Sequence, residues 1–394
     1  MFLAIAGGAL QGLEVTYLAR KAGYETLLLD KSEDAVATGI CHRFVSLDLT
    51  DHGALSETLE SVDMVLPATE NVHALRSLVR WCRENNKPLA FDPEAYAISS
   101  SKAESDHLFR RMKLPVPTPW PECGFPVLAK PDTGSGSHGV EVIPDSAALE
   151  ERFGPFPTSG WVLQEYLNGP SFSVEVMGIP GAYTPFQVTD LQMDRSHDCK
   201  RVTAPTTLPV HSAREFETMA VALAEAVRLR GIMDVEIVVH EGQLNVLEID
   251  ARFPSQTPTA VFHSTGINMV ERLVALFAPD AGLDSHPDPG QRTDARGFVL
   301  EHLRFRRGKL SVEGEGMIRT AGPLRLVEDF FGSDEALTSH SHNKDEWVAT
   351  LMVQGKDLPT ARTRRDKILE EMRIRLGVNE FSDEYPQDLL GRVK

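Results

Sequence analysis

The stretch from Gly231 to Pro258, GIMDVEIVVHEGQLNVLEIDARFPSQTP, constrains this chain more than any other. Two runs rich in β-branched and apolar residues flank Glu241-Gly242-Gln243. That is the pattern of a β-hairpin closed by a short glycine-containing loop. Side chains two apart share a strand face. Asp234 and Glu236 therefore share a face of the first strand, and Glu248, Asp250 and Arg252 a face of the second. A loop centred on Gly242 sets Glu236 opposite Glu248. Like charges directly opposed are destabilising, so carboxylates placed there among Val, Ile and Leu point to a cation between them. An all-oxygen ligand set without Cys or His suits Mg²⁺ or Mn²⁺ shared with a phosphate-bearing substrate. The competing reading is a solvated face of an edge strand. Against it, Arg252 and the polar run Ser255-Gln256-Thr257 continue from the same strand end.

Length and charge narrow the remaining classes. A chain of 394 residues predicts two to three domains. The net charge of −17 disfavours nucleic acid and anionic membrane as main partners, while leaving ATP open, because ATP is held by local groups. Cys41, Cys82, Cys123 and Cys199 lie far apart with no C-x-x-C pair, so the sequence predicts neither a disulfide framework nor a cysteine metal site. A reducing, cytoplasmic setting follows. The opening MFLAIAGGAL lacks a basic n-region and reads as a buried strand, not as a signal peptide.

Phe2–Ala6, a Gly7-Gly8 turn, an amphipathic stretch from Leu10 to Lys21 and a run from Thr26 to Leu29 predict a parallel α/β unit. The turn is not a dinucleotide fingerprint, since Ala9 stands where that pattern needs glycine. Further strands are predicted at Phe44–Asp48, Met64–Pro67 and Leu89–Phe91, closing a first domain over residues 1–95. Glu70 follows a strand end, where open α/β sheets gather ligands; it is a candidate for binding an ammonium group or for an acid matching the dipole at a helix N-terminus. A Ser-rich cap opens a helix carrying Lys102, and the proline-rich Leu114–Pro119 is an extended connector. Phe125–Lys130, a Gly/Ser loop from Pro131 to Gly139 and Val140–Ile143 form a second hairpin. Its small residues allow close backbone approach to a phosphate, and Lys130 adds a point charge. Asp190–Arg201 is polar and reads as a mobile substrate loop. The predicted domains are 1–95, 96–290 and a small α+β part at 291–394 that carries no chemical motif.

Taken in order, these pieces resemble the ATP-grasp superfamily of carboxylate–amine ligases over roughly residues 1–290. The resemblance implies a Rossmann-like N-terminal domain of parallel α/β type, a central domain with two antiparallel sheets around ATP, and a small α+β C-terminal part. LQG near the N-terminus, LPATEN at 66–71, FDPEAY at 91–96, GIMDVE at 231–236 and above all EIDARFPSQTP at 248–258 are similar to the ligases that join 3-methyl-D-ornithine to L-lysine in pyrrolysine biosynthesis. That resemblance implies an acylphosphate made on the D-ornithine carboxylate and attacked by the lysine ε-amine. It implies that ATP is held by Lys102, Lys130, Ser135, Ser137 and the segment Gln164, Glu165, Tyr166, Leu167. Asp30, Asp48 and Leu49 line the nucleotide side of the N-terminal domain. Glu236, Glu248 and Asp250 carry Mg²⁺, with Mn²⁺ an alternative, and Arg252 stabilises the developing oxyanion. Ser255, Gln256 and Thr257 bind the D-ornithine part, and Leu10, Gln11 and Glu70 bind lysine. The implied partners are these small amino acids and, as in many such ligases, a second copy of the chain in a homodimer. Two readings stay open beside it: another ATP-grasp ligase with different amino acids, and a nucleotide-binding sensor without catalysis.

Overall fold

The computed structural model describes residues 1–134, 136–154, 160–279, 295–341 and 345–386. Four short apolar strands open the chain: β1 (Phe2–Ala6), β2 (Glu25–Asp30), β3 (Arg43–Ser46) and β4 (Met64–Pro67). They form a parallel sheet in the order β3-β2-β1-β4. Helix α1 (Leu10–Lys21) connects β1 to β2, α2 (His52–Leu59) connects β3 to β4, and α3 (Val72–Glu84) follows β4. A Cβ on Gly12 would stand 1.9 Å from the Gly7 carbonyl oxygen, so the tight strand-to-helix turn requires glycine there. The strand expected at Leu89–Phe91 is reduced to a single parallel bridge between Val65 and Leu89.

Helices α4 (Pro93–Ser99) and α5 (Lys102–Arg111) lead into the next layer, and Ser101 caps α5 by accepting from the Glu104 N–H. A three-stranded antiparallel sheet follows, β5 (Val127–Pro131), β6 (Glu141–Ile143) and β7 (Trp161–Glu165) in the order β6-β5-β7, with α6 (Ser146–Phe153) beside it. The remaining described strands join one sheet. Its first half holds β8 (Ser171–Ile179), β9 (Ala182–Pro185), β10 (Thr189–Met193), β11 (Cys199–Ala204), β12 (Gly231–His240) and β13 (Gln243–Asp250), with α7 (Val210–Ala226) packed on it. After α8 (Thr257–Thr265) and α9 (Met269–Phe277), the chain returns as β14 (Gly297–Arg306), β15 (Lys309–Val312), β16 (Arg325–Glu328), β17 (Glu335–Thr338) and β18 (Glu346–Gly355). Helix α10 (Leu358–Arg375) and β19 (Glu380–Asp383) complete it. The order β13-β12-β8-β10-β11-β14-β18-β17-β16 makes the C-terminal strands a continuation of the central sheet.

Residues 190–201 are not a loop. They are the hairpin β10–β11, closed by a turn at 194–198. Its polar strand residues are buried and paired. Asp190 accepts from the Thr207 N–H at 2.9 Å, Lys200 meets Asp383 at 2.5 Å, and Arg201 pairs with Glu301 and with Asp383. A polar sequence can run through a sheet interior when each charge finds a partner there.

The central hairpin explains how two acids come to face each other. Glu241 and Gly242 have φ of 51° and 82°, the paired positive values of a type I′ turn. From that turn alone, Glu236 would face Leu247. A bulge between Glu236 and Ile237 inserts Leu247 as an extra residue and sets Glu236 opposite Glu248 and Asp234 opposite Asp250. A one-residue slip reverses every side chain, so this bulge is what turns Glu248 and Asp250 to the same face as Glu236. β13 is an edge strand, as the competing reading held, and its Glu248 side chain is 34% exposed, but Asp250 and Arg252 on the same face are largely buried.

Candidate functional site

Two cavities meet on this hairpin. The first, of about 1040 Å³, lies between the three-stranded sheet and the β12–β13 end of the large sheet. Lys102, Lys130, Gly136, Ser137, Gln164, Glu165, Tyr166 and Leu167 line it, together with Glu236 and Glu248. The second, of about 750 Å³, is lined by Asp234, Asp250, Arg252, Ser255, Gln256, Thr257 and Glu315. Gly136, Ser137, Met193, His197, Glu236 and Glu248 belong to both walls.

Each lysine is fixed by backbone. Lys102 Nζ donates to the Gly134 carbonyl at 2.6 Å and stands 3.4 Å from Glu248 Oε1. Asp132 ties α5 to the end of β5 by accepting from Ser101 Oγ at 3.0 Å and the Ala103 N–H at 2.8 Å. Lys130 Nζ reaches the carbonyl of the bulged Leu247 at 3.4 Å. Burial pulls the Lys130 ammonium below the usual lysine range, against the pull of Asp106 and Glu248. An anionic ligand beside it would favour the charged form. Glu165 uses its carboxylate to accept from the Thr118 N–H at 3.1 Å, which fixes the wall carrying Tyr166. Ser135 lies outside the described residues.

At the second cavity, burial pushes Asp250 up to about 7, and burial with Asp234 beside it raises Glu236 well above the carboxylate range. Arg252 Nη2 lies 2.8 Å from Asp250 Oδ2 and 2.8 Å from Glu70 Oε1. Burial disfavours its charge, and the two carboxylates more than offset that. Gln11 Nε2 also donates to Glu70 Oε1, at 3.0 Å. Glu70 stands just before Asn71, the N-cap of α3, and joins the N-terminal domain to the hairpin through Arg252. Gln256 adopts φ of 68°, a strained value for a residue with a side chain. Asp250 Oδ1 and Gln256 Oε1 are buried with no partner among the described residues. Buried polar atoms are nearly always satisfied, so this cavity is built for a polar ligand.

The other expected residues fall elsewhere. Asp30 accepts from the Gly8 N–H at 2.7 Å and the Ser32 N–H at 2.8 Å, and Asp48 from the Thr50 N–H at 2.9 Å. Leu10 and Leu49 pack into the two cores flanking the parallel sheet. None of these four lines either cavity. Among the described residues no three His, Cys, Asp or Glu side chains converge as a ready-made metal cage. Two carboxylates facing each other with room for phosphate oxygens are nonetheless the ordinary setting for Mg²⁺, which seldom uses an all-protein cage.

Glu315 was not legible in the sequence. It comes from the chain after β15 and accepts from Ser255 Oγ at 3.0 Å. Its segment is seated on the β10–β11 turn. The Gly314 N–H donates to Asp194 at 2.9 Å, and a Cβ on Gly314 would stand 2.2 Å from the Asp198 carboxyl carbon. No local pattern in GEGMIRT announces this.

Comparison with known proteins decides the family. A sequence profile of the ATP-grasp domain matches residues 99–256. The 3-methyl-D-ornithine–L-lysine ligases of Methanosarcina acetivorans and Methanosarcina mazei are each 32% identical to this chain over 377 residues. That span is 95% of this chain and 98% and 96% of those proteins. The chain belongs to the 3-methyl-D-ornithine–L-lysine ligase family. It is an ATP-grasp ligase, an enzyme of the ATP-dependent carboxylate–amine class. Solved structures bear out the fold. The biotin carboxylase domain of Hydrogenobacter thermophilus 2-oxoglutarate carboxylase, a dimer solved with MgADP and bicarbonate, superimposes with a TM-score of 0.72 at 15% identity, covering 94% of this chain and 89% of that one. An N5-carboxyaminoimidazole ribonucleotide synthetase solved as an ADP complex gives 0.69 at 16%, covering 93% and 96%. Among the described residues no helix is long and apolar enough to cross a membrane.

Buried acids outside the hairpin give the ligase a measurable pH response. Burial holds Glu14 at about 7, Glu175 at about 8 and Asp198 at about 7. Each folded-state pKa lies above its unfolded value, so the stabilisation is complete below about pH 4 and is lost as pH rises to 7–8. His263, at about 4, and His302, at about 3, act oppositely, losing stability only as pH falls below about 6.5. Thermal unfolding of the unliganded protein should therefore come roughly 3–5 °C lower at pH 8 than at pH 6.5. A flat or rising melting temperature over that interval would contradict this burial.

Proposed function

We propose that this ligase phosphorylates the carboxylate of 3-methyl-D-ornithine, or of D-ornithine, and couples it to the ε-amine of L-lysine, giving an isopeptide, ADP and phosphate. One observation carries the reading. The lysine-lined cleft and the acid-rich cavity share Glu236 and Glu248, so a γ-phosphoryl group bound from one side meets a carboxylate bound from the other. Lys102, Lys130, Ser135 and Ser137 hold the phosphates, and Gln164 to Leu167 the adenine. Asp30, Asp48 and Leu49 reach the nucleotide only if the N-terminal domain closes on the cleft. Glu236, Glu248 and Asp250 hold Mg²⁺, or Mn²⁺ in its place, which neutralises charge on the phosphates. The substrate is a diamine, and the second cavity matches it. Asp198, Asp234, Asp250 and Glu315 stand against the single cation Arg252 among its lining residues. Ser255, Gln256 and Thr257 orient the ornithine part, and Arg252 places its guanidinium at the carbonyl that becomes an oxyanion when the amine attacks. Leu10, Gln11 and Glu70 take the lysine, Glu70 drawing its ammonium toward the carboxylate held beside Arg252. A homodimer in a reducing cytoplasm completes the reading; the four cysteines are free thiols.

The test is ADP release and product mass with Mg·ATP, D-ornithine and L-lysine. The expected result is an adduct that forms only when both amino acids and the metal are present. ADP release with D-ornithine but no lysine adduct would sink the assigned amine. Absence of ADP release with every amino acid tried would favour the sensor reading.

A further inference from the structure

The β10–β11 turn carries a side chain that the reading above does not use. His197 sits at its tip and belongs to the walls of both cavities. Its backbone is in the left-handed region, with φ of 63°, a conformation that a non-glycine residue keeps only when its surroundings hold it there. Three contacts do so. The carbonyl of Asp194 accepts the His197 N–H at 3.0 Å. The His197 carbonyl accepts from Ser137 Oγ of the Gly/Ser loop at 2.5 Å. The ring stands edge-on to Tyr166, with centroids 5.9 Å apart and planes at 88°. The turn itself is anchored, since Asp194 accepts from the Ser196 and Gly314 N–H groups at 2.7 and 2.9 Å. The ring therefore has a fixed position between the adenine wall and the carboxylate hairpin. Its Nε2 is buried and has no partner among the described residues. Burial keeps the imidazole below its usual pKa, the nearby Asp194 carboxylate opposing, which favours the uncharged ring.

Resting on the ligase reading, we propose that His197 contacts the phosphoryl group in transit, its neutral Nε2–H donating a hydrogen bond to a phosphoryl oxygen as the γ-phosphoryl passes to the substrate carboxylate. The bond between γ-phosphorus and the ADP oxygen breaks, the bond to the carboxylate oxygen forms, and ADP leaves with the electron pair. His197 gives up no proton. The placement fits because the residue lies in the walls of both cavities together with Glu236 and Glu248, where the phosphoryl must cross. A neutral donor also adds no cation to compete with the metal-binding carboxylates. Through Ser137 the same residue ties the Gly/Ser loop to this turn.

The test compares wild type with His197→Phe, His197→Asn and His197→Gly, using Mg·ATP, D-ornithine and L-lysine for turnover and ADP titration for nucleotide affinity. His197→Phe is expected to lose ~10²-fold in kcat while ADP affinity stays within about threefold. His197→Asn keeps an N–H donor and tolerates positive φ, and should recover to within about tenfold of wild type. Should the Phe variant fail to fold, His197→Gly suits the backbone, and added imidazole should raise its kcat, which a merely structural role would not allow. Unchanged kcat in His197→Phe or His197→Gly overturns the proposal. So does a parallel loss of ADP affinity, which would make the ring only a wall of the nucleotide cleft. Wild type inactive with every amino acid would count against the ligase reading instead, a result distinct from either.

Discussion

Glu248→Gln should lower ligase turnover by ~10³-fold while leaving the protein folded and at least as heat-stable as wild type. Glu248 is shared by both cavities, faces Glu236 across the hairpin and stands 3.4 Å from Lys102. Neutralising it takes away a negative charge and one carboxylate oxygen from the proposed Mg²⁺ site, on the wall that the two cavities share. The same change relieves like-charge repulsion against Glu236. The partly exposed pair with Lys102 that it gives up is worth little by comparison. Activity and stability should therefore move in opposite directions. Kinetics at saturating Mg·ATP, read beside a melting curve, check both. A variant that keeps its turnover, or loses it only together with a large fall in melting temperature, would make Glu248 a structural acid.

Arg252→Met carries the second large effect, and it should fall on stability and rate alike. The guanidinium is the counter-charge of Asp250 and of Glu70, both at 2.8 Å. Removing one partner of a buried pair leaves an uncompensated charge, at a cost of about 3–5 kcal/mol. If Arg252 also serves the oxyanion, kcat should fall by a further ~10²–10³. The double variant Arg252→Met with Asp250→Asn separates these roles. It should regain much of the stability and none of the turnover. Arg252→Lys should stand between, because lysine keeps the charge but not the planar fork that meets two carboxylates at once. Recovery of activity along with stability in the double variant would show that Arg252 only balances charge.

What the sequence made legible was whatever is local. The hairpin announced itself through alternation and a glycine turn, and Lys102 through a Ser cap. Lys130 was marked by a strand that ends in a Gly/Ser loop. The facing of Glu236 and Glu248 was expected from a loop centred on Gly242, yet it depends on the Leu247 bulge. A bulge has no dependable signature in a run such as NVLEID. The β10–β11 hairpin was misread as a loop because Lys200 and Arg201 look solvated, when their partners Glu301 and Asp383 arrive from about a hundred or more residues later. Glu315 was out of reach for the same reason. Its place in the site comes from strand order in a sheet that joins the C-terminal strands to the hairpin. Asp30 and Asp48, read by resemblance as nucleotide contacts, have their carboxylates on backbone N–H groups close by.

The central claim is that a substrate carboxylate takes the γ-phosphoryl of ATP before the amine attacks. D-ornithine labelled with ¹⁸O in both carboxylate oxygens, turned over with Mg·ATP and L-lysine, tests it most directly. The phosphate released should carry one ¹⁸O atom and the isopeptide carbonyl the other. Unlabelled phosphate alongside a formed isopeptide would contradict the account, because the carboxylate oxygen would then have left by a route that never bonded it to phosphorus.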